Sequence, residues 1–142
     1  MMLLDANVMI YAHRRDVPRH QEYREWLQQL VDGPQPYAVS DLALAGMVRV
    51  VTNPRIFRQP ATIAEALDFA DMIRHQPHAR LVSPGPGFWQ IFSTLCRQAQ
   101  VRGDLVPDTY LAALAVEHGC EVISDDKDFD KFPGLRWSRP LF

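Results

Sequence analysis

The sequence predicts a single α/β domain over residues 1–142, built on a mainly parallel central sheet of four to five strands. Short apolar runs alternate along the chain with longer segments whose apolar residues recur at helical spacing. Proline and glycine fall between these segments as punctuation, with no repeat, linker or low-complexity stretch to divide the chain. At 142 residues the chain has the length of one ordinary domain. Strands that alternate with helical patterns imply parallel pairing.

Met1 to Leu4 reads as a short buried strand and Asn7 to His13 as a helical turn. Tyr23, Trp26, Leu27 and Leu30 fall at i, i+3, i+4 and i+7, a stripe that predicts a helix from Pro18 to Val31, closed by Asp32-Gly33-Pro34. Tyr37 to Val39 is the second strand. Ser40 is placed to cap a helix from Asp41 to Val51, which must stop before Asn53-Pro54 because the residue preceding a proline avoids the helical region. Thr62 precedes a helix carrying Ile63, Ala66, Leu67, Ala70 and Ile73 on one face, and Arg80 to Val82 is the next strand. Ser83-Pro84-Gly85-Pro86-Gly87 is a rigid loop into an aromatic helix with Phe88, Ile91, Phe92 and Leu95; it lacks the Lys-Ser/Thr ending of a phosphate loop. Pro107 at a first helical position opens the helix that ends at Gly119. Glu121 to Ile123 is strand four, and Arg136 to Ser138 a short edge strand.

Composition excludes several classes. The chain is 47% hydrophobic and 23% charged, and no stretch approaches the 18 or so apolar residues of a membrane span. The apolar start is interrupted by Asp5 too early for a signal peptide, so a cytoplasmic protein is expected. Cys96 and Cys120 lack a metal or redox spacing and read as reduced core thiols. The five histidines read as structural, on helix faces or in the Gln76-Pro77-His78 loop, which leaves no Ser/His/Asp or Cys/His triad. Net charge is −2, yet Lys127 and Lys131 are the only lysines among fifteen cations. Two arginine groups stand out: Arg14, Arg15, Arg19 and Arg24, with acids nearby, and Arg49, Arg55 and Arg58, with none. The second group is a candidate phosphate-binding set, since arginine offers bidentate contacts to phosphate.

Four aspartates carry the chemistry. Asp5 follows the first strand, Asp108 lies at a helix start behind a proline, and Asp126 and Asp128 follow the fourth strand. Each alone could be a helix cap or an anion at a helix N-terminus. Together they converge, because strand ends and helix starts of an open parallel sheet face one crevice. Two carboxylates about 4 Å apart repel by roughly 4 kcal/mol at an effective dielectric near 20, so the cluster calls for a hard divalent cation, Mg²⁺ or Mn²⁺. Such an ion acidifies water and stabilises charge on phosphoryl oxygens, which points to phosphodiester hydrolysis with Asp126 or Asp128 orienting the attacking water.

Leu3-Leu-Asp-Ala-Asn-Val8, Asp108-Thr-Tyr-Leu-Ala-Ala-Leu-Ala-Val-Glu-His-Gly119 and Val122-Ile-Ser-Asp-Asp-Lys-Asp-Phe129, in that order and spacing, resemble the PIN-domain ribonucleases, specifically the VapC toxins of toxin-antitoxin pairs. Val51 to Phe57 resembles a stretch found in one branch of that family. The resemblance implies a three-layer α/β/α fold and an endoribonuclease acting on tRNA or another translation-related RNA. Asp5, Asp108 and Asp126 match the family's metal-binding acids, Asp128 a further catalytic acid, and Asn7 and Ser124 supporting polar positions. It also implies a homodimer and a cognate VapB-like antitoxin.

One position departs from the pattern. The family usually carries a glutamate on the helix after strand two, in an L-x-L-A-E-x-x-R arrangement, and here Leu42 to Arg49 puts Gly46 in that place. Asp41 lies five residues earlier, about 140° round a helix, and cannot replace it. Two other readings compete with the nuclease: a non-catalytic RNA- or protein-binding module of the same fold, for which Gly46 argues, and a phosphatase of the haloacid-dehalogenase type. The latter needs an acid where the chain has Asn7.

Overall fold

In the computed structural model, which describes residues 1–142, five short strands form one parallel sheet. The elements are β1 (Met2–Leu4), α1 (Ala6–His13), α2 (His20–Asp32), β2 (Tyr37–Val39), α3 (Asp41–Val51), α4 (Ile63–Arg74), β3 (Ala79–Leu81), α5 (Phe88–Ala99), α6 (Leu105–His118), β4 (Glu121–Ile123) and β5 (Trp137–Ser138). A 3-10 helix, Lys127–Lys131, follows β4.

Strand order is β3-β2-β1-β4-β5, and every pairing is parallel. From β1 the chain steps outward through β2 to β3, then returns across the sheet to place β4 on the other side of β1. The order therefore reverses between β1 and β4, where an open parallel sheet leaves a crevice at its carboxyl edge. Helices α1 to α4 pack against one another and α5 packs against α6. Right-handed crossovers put these two groups on opposite faces of the sheet, which makes three layers.

The three central strands β1, β2 and β4 are buried on both faces, as parallel strands under helices are, with Leu3, Leu4, Tyr37, Ala38, Val39, Val122 and Ile123 all at most 2% exposed, while the edge strands β3 and β5 are partly open to solvent. The buried Tyr37 hydroxyl donates to the Ile73 carbonyl at 2.6 Å, so the largest polar side chain of the core leaves no unpaired group. Helix α6 has buried residues at five consecutive positions, Leu111 to Ala115, and three are alanine. Small side chains let a helix buried all round approach the sheet closely.

Several boundaries shift from the sequence expectation, most by one residue: β1 starts at Met2, α1 at Ala6 and β5 at Trp137, α2 ends at Asp32 and β3 at Leu81. Helix α2 starts at His20, not Pro18, because Arg19 adopts a left-handed conformation with φ 61°. Strand β3 begins one residue earlier than predicted, at Ala79. Helix α6 begins at Leu105, so Pro107 is its third residue, not its first. A proline is tolerated there because first-turn N–H groups have no intrahelical acceptor. No helix is long and apolar enough to cross a membrane.

Candidate active site

The crevice between β1 and β4 is built around Ser124, which directly follows β4 and is fully buried. Its hydroxyl donates to Asp5 Oδ2 at 2.7 Å and accepts from Asn7 Nδ2 and from the Asp126 backbone N–H, each at 3.0 Å. One proton and two lone pairs are all that a serine hydroxyl offers, and all are used. Asn7 Oδ1 also accepts from the Asp125 N–H at 3.3 Å. The ends of β1 and β4 are thus tied by side chains far apart in sequence.

Asp5 caps α1 and faces the cleft. Its Oδ1 accepts from the Ala6 N–H at 2.7 Å, which caps α1 and points the other carboxylate oxygen at Ser124. Burial raises the Asp5 pKa, the hydrogen bonds from Ser124 and Ala6 oppose that, and nearby Asp126 adds to it. Asp126 likewise caps the 3-10 helix, accepting from the Asp128 N–H at 2.8 Å. Asp128 lies 3.4 Å from Lys131 in an exposed ion pair. Capping and a place at the crevice are compatible for both acids: Asp126 caps through one oxygen only, and each Asp5 oxygen accepts a single hydrogen bond and keeps a further lone pair.

Asp108, in the first turn of α6, comes from the opposite face of the sheet. It shares with Asp5 a cleft of about 510 Å³, walled on the far side by α3 through Leu42, Gly46 and Arg49. Its pKa is pushed up to about 7, first by burial and then by repulsion from Asp5, Asp126, Asp128 and Asp104. The structure therefore brings together Asp5, Asn7, Ser124 and Asp126 by direct bonds, and places Asp108 and Asp128 within electrostatic reach of them.

No three His, Cys, Asp or Glu side chains are gathered closely enough to form a ready-made metal cluster. The donor set still fits a hydrated hard cation. All its donors are oxygens, and Asp5, Asp108 and Asp126 form no ion pair. Mg²⁺ commonly keeps several waters and takes only one or two carboxylates with the rest of its shell left to substrate phosphate, so an open set suits it.

Arg49 is the only basic side chain lining the cleft. Arg55 and Arg58 are exposed on the loop after α3 and do not line the cleft, so the structure does not gather the three cations into one pocket. In the other arginine group, Arg14 is buried, makes two bonds to Asp16 at 2.9 and 2.6 Å, and stacks 4.1 Å over Phe57; Arg19 pairs with Glu22. Three histidines bond backbone carbonyls: His20 to Tyr11, His78 to Val31 and His118 to Ser83.

Gly46 faces the cleft, and a Cβ built there would have only the Ala6 Cβ within 4 Å, at 3.8 Å. The place where a glutamate is expected is open space. Asp41 cannot serve it, being held by Arg74 at 2.9 Å. The sequence reading overlooked Asp104, which lines the cleft four residues before Asp108. Its signal was the i, i+4 spacing, legible only once α6 is known to start at Leu105.

Residues 2–135 match the family model described as the PIN domain. The chain belongs to the PIN-domain family. Within it, this PIN domain is 44% identical to Ribonuclease VapC31 and 42% identical to Ribonuclease VapC25 of Mycobacterium tuberculosis, each over 140 residues and 99% of both chains, so it is a member of the VapC branch. Among solved structures it resembles VapBC2 from Rickettsia felis bound to a DNA fragment from its promoter, with a TM-score of 0.71, 15% identity and 97% of each chain covered. It also resembles the VapC20 toxin of Mycobacterium tuberculosis, a Sarcin-Ricin loop cleaving toxin, with a TM-score of 0.67, 18% identity, and 96% and 99% of the two chains covered. At such identities these likenesses are of the PIN fold.

Proposed function

We propose that the chain is a single-domain, Mg²⁺- or Mn²⁺-dependent endoribonuclease in which Asp5, Asp108 and Asp126 hold the metal and Asp128 or Asp126 orients the attacking water. The observation that supports this most is that Asp5 and Asp108, from opposite faces of the sheet, line one cleft, with Asp126 near enough to add to the upward push on both carboxyls. The substrate is RNA, a tRNA or another translation-related RNA, and a VapB-like antitoxin covers the site; the curated relatives are named ribonucleases and several fold neighbours are VapBC complexes. The protein acts as a homodimer in the cytoplasm.

The divalent ion, when bound, supplies positive charge for the phosphoryl oxygens and eases removal of a proton from water. The protein does the rest. Ser124 and the Ala6 N–H fix both oxygens of Asp5, so that carboxylate needs little reorganisation as substrate arrives. Asp126 or Asp128 accepts the water proton as the water oxygen attacks phosphorus, and the bond to the leaving ribose oxygen breaks, that oxygen taking a proton from solvent. Arg49 in the cleft wall, with Arg55 and Arg58 beyond it, contacts the backbone phosphates.

RNA cleavage by purified protein tests this reading. Cleavage should require Mg²⁺ or Mn²⁺, stop with a chelator, and be abolished by Asp5→Asn and by Asp108→Asn. Full metal-dependent cleavage by either variant would refute the site. Gly46 favours a second reading, a non-catalytic binding module, which predicts RNA or protein binding without cleavage. Nothing favours the phosphatase, since both polar atoms of Asn7 are occupied and an amide cannot serve as acid.

A further inference from the structure

We propose that Asp104 supplies the carboxylate oxygen that Gly46 lacks, completing the metal site from the opposite wall of the cleft. The inference rests on the metal-site reading above and concerns how this chain satisfies it. Three observations converge. Gly46 faces the cleft with no side chain, and the space where its Cβ would stand is bordered only by Ala6. Asp104 faces the same cleft from the start of α6 with a backbone conformation already helical, φ −66° and ψ −15°, so it lies one turn before Asp108 on the same side. Its carboxylate is also unemployed. An aspartate at a helix N-cap ordinarily accepts a hydrogen bond from the first turn, as Asp5 does, whereas Asp104 makes no cap bond and no ion pair.

Asp104 is solvent-exposed, so water carries its charge in the metal-free fold, and the same exposure leaves its oxygens open to a hydrated cation in the cleft. Because Asp104 and Asp108 sit at i and i+4, the site would draw two ligands from one helix where the family pattern draws one from each of two.

Mn²⁺ binding to the purified, metal-stripped protein, measured by calorimetry, tests this without reference to catalysis. Asp104→Asn keeps a good capping residue and should weaken Mn²⁺ binding roughly tenfold. The deficit should persist at about 1 M salt, where a purely through-space effect is screened to a few ångströms. Gly46→Glu placed on the Asp104→Asn background should restore most of the affinity. If Asp104→Asn binds like the wild type while Asp108→Asn does not, the proposal is wrong and the site stands. A deficit that salt removes, or that Gly46→Glu does not restore, also overturns it. If Asp5→Asn and Asp108→Asn bind Mn²⁺ as the wild type does, the metal site itself is misassigned and both readings fall.

Discussion

Ser124 holds the crevice together with a single oxygen atom. Removing it leaves an oxygen of Asp5, the Asn7 amide and the Asp126 N–H without their partner in a buried place. Ser124→Ala should cost about 1–3 kcal/mol, read as a lower urea midpoint with unchanged m-value, and should reduce cleavage because Asp5 is no longer held. Asp108 acts in the opposite sense. Its carboxyl is raised from 3.8 to about 7 in the fold, so it is disfavoured when charged, and its protonated form stabilises the fold as pH falls below 7. Asp108→Asn should therefore raise the thermal midpoint of the metal-free protein at about pH 8, with a gain that shrinks toward pH 5. Thermal scans in chelator across that range check the sign. A gain largest at low pH would mean that Asp108 is not crowded by its neighbours.

Helix α3 walls the cleft, and the loop after it carries two exposed arginines. The buried Arg14, bonded to Asp16 and to the Gln59 carbonyl and stacked on Phe57, pins the loop that carries Arg55 and Arg58. Replacing Arg49, Arg55 and Arg58 with alanine should weaken RNA binding and flatten its salt dependence by roughly one charge's slope each, whereas Arg136→Ala and Arg139→Ala should not. Equal losses in both sets would assign the three arginines to other contacts. Gly46→Glu alone should stabilise α3 by up to about 1 kcal/mol through helix propensity, against repulsion from the resident acids. Its midpoint should accordingly rise more with Mn²⁺ than without, and an equal rise would show that the side chain turns away from the site. The sequence announced the helices through spacing and the strands through short apolar runs. The acids became legible as a group because β1, β4 and α6 all present residues at the carboxyl edge. Asp104 stayed hidden because Pro107 suggested a later helix start. The dual duty of Asp5 and Asp126 as caps was legible only as an alternative to a site role, and bond geometry makes the two compatible.

Across the whole molecule, the site should behave as a ligand-dependent brace. Mn²⁺ at about a hundred times its dissociation constant adds roughly 2.7 kcal/mol to the folded state, a rise in thermal midpoint on the order of 10 °C for a chain of this size. Asp5→Asn and Asp108→Asn should lose most of that rise. An undiminished rise in both would place the binding elsewhere. The bond from Ser124 to Asp5 joins residues 119 positions apart and closes between β1 and the strand that is inserted beside it last in sequence. A chain emerging from a ribosome exposes Asp5 almost at once, but it cannot present Ser124, Asp126 or Asp128 until most of its length has been made. Helices α1 to α4 can gather beforehand, since their contacts are earlier in the sequence. With the acids placed as proposed, no cleavage site exists until synthesis is nearly over, and any premature stop before β4 yields a fragment without one.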